Sequence, residues 1–350
     1  FGELAQHFLA VFIRQQAVLA PAPTQRYGGG RNAFQGEMLY SGDNPPYGAI
    51  FTYYLKGGLK TLKEQRVEAE KAAEKAGKAI TYPTNEQFRA EAEEEAPAIL
   101  LTISDSSGTP IRVVTGPAGK GFQRVAWNLQ LPSHTLPRPA NPLEDLFESG
   151  PAGPYVVPGR YSVTLSQRVG GVTTPLGGPV SFNVVTEPGA PVTLADHAAR
   201  GAFQKKLQEL RRSVAGAGEL TAATGQKLDQ IRRALDQVPA APKALGEQVR
   251  ALQGRLALIV RELSGDRAVA ARSEATPASI SERVNGISGE QGRTLGRPTG
   301  THQEQLQIAG ELFATELAKL KQLVETDIPA LEREVEKAGA PYTTGRIPSR

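Results

Sequence analysis

The sequence contains no cysteine and only four histidines. The first absence excludes a disulfide framework, thiolate metal sites and a cysteine nucleophile, and leaves the compartment open. His7, His134, His197 and His302 are far apart and fall in different expected elements. A His-rich metal site or a Ser-His-Asp triad would need long-range convergence for which no spacing argues. Charge of one sign is also scarce: 40 Lys and Arg stand against 36 Asp and Glu, a net charge of +4. Basic and acidic residues alternate as on solvated helix faces. A basic stripe with interleaved aromatics is missing, so no nucleic-acid partner is expected. No apolar run approaches the roughly 18 residues that cross a bilayer, so no membrane span is expected.

At 350 residues the chain has room for two domains or three. Hydrophobic residues make up 39%, enough for real cores, and 37 glycines and 26 prolines gather in a few loops. The first residues, Phe1 to Ile13, are apolar but carry Glu3 and His7. They lack a basic leader and a small-residue cleavage site, so they do not read as a signal peptide. With no initiator Met, the chain reads as a fragment of a longer precursor.

Residues 1–20 suit one short amphipathic helix or an extended apolar segment, ended by Pro21-Ala22-Pro23. Residues 21–46 read as an irregular arm, so 1–46 is taken as an N-terminal segment with an extended aromatic arm. Its Gly28-Gly29-Gly30 run lacks both the Lys-Ser/Thr of a phosphate loop and the dinucleotide glycine spacing. Tyr27, Phe34, Tyr40 and Tyr47 are the interaction candidates, because four aromatics on an arm without helical or strand pattern need a surface to lie on.

Ala49–Leu55 is rich in β-branched and aromatic residues and reads as a strand. The period then switches to a polar, Ala-rich helix over 59–77. A second helix, opened by Thr84 or Asn85 as N-cap, runs to about Glu95. Strand patterns follow at 99–105, 111–114, 122–129, 159–165 and 180–185, with Gly and Pro turns between them. Six or seven such strands predict an antiparallel sandwich over 47–187, with 59–95 as a helical insertion. Residues 49–55 are expected to pair with 99–105. Val125 and Trp127 point inward, and Tyr161, Val163 and Leu165 share a face.

From 188 to 350 the pattern is helical. Stripes at Phe203, Leu207 and Leu210, at Leu245 to Leu263, and at Leu306 to Val335 predict an antiparallel bundle of three long helices. Gly216, Gly218 and Gly225 soften the first, and Pro329 kinks or offsets the end of the third. Residues 264–300 read as a flexible loop with a short helix at 279–286. The fold class is therefore α+β and multidomain.

No chemistry emerges from the remaining motifs, so no catalytic, cofactor or metal residue is assigned. Glu91, Glu93, Glu94 and Glu95 could pair as acid and base, but such a run on a polar helix is usually a solvated face. Asp43-Asn44 before Pro45-Pro46 reads as a turn, and Asp145 and Glu148 have no obvious partner. His302-Gln303-Glu304 resembles the start of a metal motif, but no second His follows. Thr301 as N-cap with Glu304 as its reciprocal partner explains it as a capping box. Trp127 and Tyr161 could stack on a sugar, but their strand positions favour the core.

The run from Gly42 through Asn44-Pro45-Pro46-Tyr47-Gly48-Ala49, followed by Tyr53-Tyr54-Leu55-Lys56, resembles the region after the β-propeller of bacterial BNR/VPS10-like (sortilin-type) repeat proteins, often labelled glycosyl hydrolases. Leu101 to Asp105, Gly121 to Leu129 and Val157 to Val163 resemble the Ig-like, FlgD-type sandwich of that family. Ile280 to Gly286 and Asp327 to Leu331 resemble its closing helices. The resemblance covers about residues 20–340. It implies a non-catalytic module that supports a propeller or mediates assembly, an extracytoplasmic (periplasmic or secreted) location, and as partner the propeller of the same parent or another subunit. Two alternatives follow: an accessory carbohydrate-binding region with a glycan partner, or a sortilin-like protein-binding region. The glycosidase label would belong to the propeller, so it supplies no catalytic residue here.

Overall fold

The structure is a computed structural model that describes residues 8–13, 16–19, 47–134 and 153–347. The chain is mixed α and β, with largely antiparallel sheets and several long helices. It divides into two compact units. One holds all the strands and the first two helices; the other runs from Ala195 to the end of the described chain.

The strands of the first unit are β1 (Phe8–Ile13), β2 (Gln16–Leu19), β3 (Ala49–Leu55), β4 (Ala98–Ser104), β5 (Pro110–Gly116), β6 (Gly121–Trp127), β7 (Gly159–Val169) and β8 (Val172–Thr186). They form a three-stranded sheet, β1-β3-β6, and a five-stranded sheet, β2-β8-β7-β4-β5. The expected pairing of 49–55 with 99–105 is not found. β3 lies antiparallel to β6, with Ala49 opposite Trp127, and β4 lies between β5 and β7 in the other sheet. Period-two alternation tells which face of a strand is buried and does not name its neighbour. The long connection from Leu55 to Ala98 crosses between sheets, so the helical insertion bridges two sheets where one had been expected.

Two features close the sides of this arrangement. Between Ile13 and Gln16 the chain passes from one sheet to the other, and β2 pairs with β8 in parallel, the one parallel pair among the described strands. On the opposite side β5 and β6 are consecutive and also belong to different sheets. The inner faces meet through rings. Phe51 and Trp127 from the smaller sheet each lie edge-on to Phe182 of the larger, at 5.6 and 6.2 Å, and Trp127 meets Tyr161 at 6.0 Å. Such pairs contribute about 0.5–1.5 kcal/mol beyond area burial. Glycine is required where the backbone comes close: a Cβ on Gly116 would stand 2.3 Å from the Tyr53 hydroxyl, which donates to Pro117 O at 2.5 Å. Burial pushes the Tyr53 hydroxyl up to about 12.

The insertion consists of α1 (Leu62–Lys75) and α2 (Asn85–Glu93). Both begin with capping boxes, Thr61 with Glu64 and Thr84 with Gln87. Neither helix has a fully buried residue.

The second unit contains α3 (Leu194–Asp236), α4 (Lys243–Ser264), α5 (Arg267–Ala270), α6 (Ile280–Gly292), α7 (Gly300–Gln322) and α8 (Ile328–Lys337). One apolar core joins α3, α4, α6, α7 and α8 through Leu207, Leu228, Ile231, Val249, Leu320 and their neighbours. α3 runs unbroken through Gly216, Gly218 and Gly225, because its stripe is anchored on both sides of them. The stretch 264–300, expected to be a flexible loop with a short helix at 279–286, contains α5 and a longer helix, α6, that runs on to Gly292. Its polar composition conceals a helical stripe of Ile280, Val284, Ile287 and Gln291, all buried. The interruption expected at Pro329 takes the form of a π turn over Leu323–Asp327, after which Pro329 occupies the first turn of α8. The widened turn stands where the proline ring, which cannot donate to the turn before it, enters the helical run.

Candidate functional site

Three of the four interaction candidates, Tyr27, Phe34 and Tyr40, lie outside the described residues, as do Asp43, Asn44, the Gly28–Gly30 run, Asp145, Glu148 and His7. Tyr47 is half-buried immediately before β3. Trp127 and Tyr161 are both buried, so neither offers a ring face to a sugar. The Tyr161 hydroxyl donates to Val157 O at 2.6 Å, and burial, with the Asp105 charge, pushes its pKa up to about 12.

The acidic run is built into the insertion. Arg66 holds both carboxylate oxygens of Glu91, at 2.5 and 3.0 Å, and reaches Glu70 at 2.6 Å. That guanidinium holds the Glu91 carboxyl below the usual carboxylate range. Glu94 accepts from the Leu62 N–H at 2.7 Å, and Glu95 pairs with Arg168 at 2.6 Å. These contacts fix the hairpin base to the sheet. Three of the four carboxylates thus have structural partners, where a plain solvated face had been expected.

The hairpin instead presents an apolar cluster that no sequence motif announced. Tyr82 is 81% exposed and meets Phe88 edge-on at 5.7 Å, beside the half-exposed Ile80. The Arg66 guanidinium lies 5.5 Å from the Phe88 ring centre. A second ring pair, the half-buried Tyr54 with the 74%-exposed Phe122, spans β3 and β6 at 5.0 Å. Phe122 and Arg124 are exposed and Trp127 is buried, so the Trp127 face of β6 is the inward one.

In the second unit, polar residues distant in sequence converge on Gln291, which is fully buried. Arg200 of α3 donates to Gln291 O at 3.2 Å, and Gln291 Nε2 lies 3.0 Å from His302 Nδ1. The Thr299 N–H donates to the same Nδ1 at 3.3 Å, and Nε2 lies 2.6 Å from Glu290 Oε2. A backbone N–H can only donate, so Nδ1 accepts and the ring hydrogen sits on Nε2, donating to Glu290. Both ring nitrogens are engaged, which makes His302 part of a helix cap. The capping box is Thr299 with His302, two residues earlier than the expected Thr301 with Glu304, because the helix starts directly after Pro298. His197, one turn before Arg200, is buried; burial and the Arg200 charge push its pKa down, against a smaller opposing pull from Asp196.

Among the described residues no group of three or more His, Asp or Glu could hold a metal ion, and no helix is long and apolar enough to cross a membrane. No family model matches the chain, and no curated protein matches it. One solved structure, pT26-6p, aligns over 79% of this chain and 46% of its own, at 8% identity and a TM-score of 0.15. A likeness that low carries no argument.

Proposed function

We propose that the chain is a non-catalytic structural and interaction module of an exported protein, which supports a β-propeller or mediates assembly. The observation that carries this reading is the α1–α2 hairpin. It has two capping boxes and a two-pronged Arg66–Glu91 ion pair, yet neither helix buries a residue fully, and it exposes Ile80, Tyr82 and Phe88. An ordered insertion that adds little to the core is surface held ready for a partner.

The reading extends to the fold. With β1 and β2 taken as one split first strand, β3 to β8 follow in the order B, C, C′, E, F and G of an Ig-like module. Tyr161 near the start of the F-like strand, bonded four residues upstream, is in keeping with the tyrosine corner of such modules. The long helices, sharing one core and joined by short turns such as Gln237–Pro242, favour an antiparallel bundle. Location outside the cytoplasm rests on the BNR/VPS10-like resemblance, whereas the docking role of Tyr27, Phe34, Tyr40 and Tyr47 rests on four aromatics in an arm without helical or strand pattern.

The accessory carbohydrate-binding reading has less support, because these two ring pairs are steeply inclined, at 59° for Tyr54–Phe122 and 64° for Tyr82–Phe88, where a sugar platform needs coplanar rings. The sortilin-like protein-binding reading uses the same hairpin surface and differs only in partner.

Two experiments test the proposal. The codons upstream of Phe1 should encode Ser-x-Asp-x-Gly-x-x-Trp repeats; their absence removes the propeller. Replacing 60–94 by a short Gly/Ser linker should leave the melting temperature unchanged and abolish binding to the separately expressed propeller. Retained binding would reject the hairpin as the contact surface.

A further inference from the structure

Between α3 and α4, closed at one end by the turn into α5, lies an open cleft of about 530 Å³. That volume falls in the roughly 300–1,000 Å³ range of small-molecule sites. Its floor is apolar and built from short side chains. Gly225 of α3 faces Leu256 of α4, where an added Cβ would lie at an ordinary contact distance, 3.7 Å, from the leucine methyl. Ala257 and Val260 continue the floor along α4.

The polar groups of the cleft divide by sign. Both acids are occupied: Asp229 Oδ1 accepts from Gln253 Nε2 at 2.8 Å, and Asp266 Oδ1 accepts the Ala268 and Val269 N–H groups, capping α5. The two cations are not. Arg261 and Arg267 both line the cleft, and among the described residues neither has a carboxylate partner. An apolar floor with two uncommitted guanidinium groups complements one kind of ligand.

We propose that this cleft binds a small amphiphile with an apolar body and an oxyanion head, a carboxylate or a phosphate. The body lies over Gly225, Leu256, Ala257 and Val260, and the head is held by Arg261 and Arg267, whose planar forks match either oxyanion. The site is independent of the hairpin and of any propeller, so it stands or falls separately from the function proposed above.

The test is calorimetric titration of the whole chain with dodecanoate, dodecyl phosphate and uncharged dodecyl maltoside, each below its micellar concentration. One anion should bind at a single site, and whichever binds tighter identifies the head. Arg261→Ala and Arg267→Ala should each weaken binding about tenfold or more. Ala257→Phe, at an exposed helix position, should fill the cleft and abolish binding with the melting temperature unchanged. If Ala257→Phe melts early, Arg261→Glu serves in its place and should remove binding by charge reversal. Failure of both anions to bind, equal affinity for the maltoside, or unchanged binding by the cleft variants would overturn the proposal.

Discussion

The α1–α2 hairpin and the α3–α4 pair have comparable helical periodicity and hold together by different means. α4 buries Leu245, Val249, Leu252, Leu256, Ile259 and Leu263 along one face, and α3 buries thirteen residues. α1 and α2 bury none, and depend on caps and on Arg66. Burial couples a helix to everything it touches. Caps stabilise only the turn in which they sit, and the Arg66–Glu91 pair joins α1 to α2 within the hairpin. The core helices should therefore open with the whole unit, and the hairpin should open by itself.

Leu228→Ala probes this difference most strongly. Leu228 is fully buried in the shared core, and truncating such a leucine costs about 2–5 kcal/mol. Urea denaturation followed by helical circular dichroism should show that loss, with hydrogen exchange in α1 and α2 unchanged. If exchange in the hairpin accelerates as well, the two helical regions are coupled and the comparison fails.

A smaller loss is expected at Tyr161→Phe. The ring stays in the aromatic core with Trp127 and Phe182, so only the hydroxyl bond to Val157 O is lost. Net hydrogen-bond contributions are about 0.5–1.5 kcal/mol, and a midpoint shift of that size should appear in the strand unit alone. No shift would mean that the corner is an incidental contact.

Much of the local structure was legible in the sequence, because it follows from neighbours in the chain. The Ala49–Leu55 strand, an N-cap at Thr84 or Asn85, which proves to be Thr84, and the α4 stripe all came from composition, capping chemistry and period. What stayed hidden is set by partners far away. Nothing in Phe51 or Ile99 says that they belong to different sheets. His302 looked like a false start of a metal motif, because the residues that engage it, Glu290 and Gln291, belong to the end of α6, beyond the short helix expected at 279–286. The exposed Tyr82–Phe88 pair was hidden for the same reason: the turn between two polar helices gives no periodic signal.

Mild acid gives the core helices a liability that the hairpin, whose Arg66–Glu91 pair weakens only at lower pH, does not share. His197 is buried with its pKa pushed below the ordinary value, near 6.5, to which it returns on unfolding. In the interval between those two values the unfolded chain binds more protons, so stability rises with pH there. It should be complete above about pH 6.5 and decline as pH falls through the depressed folded value. Melting temperatures of the helical unit between pH 7.5 and 5 should trace that decline, and His197→Asn should flatten it. A variant that keeps the full slope would assign the acid sensitivity elsewhere.

The smallest effect belongs to the caps. Thr61→Ala and Thr84→Ala each remove a hydroxyl that accepts a first-turn N–H, at 3.1 Å from Glu64 and 3.2 Å from Gln87. An N-cap threonine contributes typically about 1 kcal/mol. In a core helix that loss would be spread over a large cooperative unit. In a hairpin whose helices bury no residue it should fall entirely on the hairpin. Exchange of the α1 and α2 amides should quicken about fivefold for a loss of about 1 kcal/mol, while the global melting temperature stays where it was. A drop in the global melt would mean that the hairpin contributes to the fold it projects from, and would weaken the case for it as surface reserved for a partner.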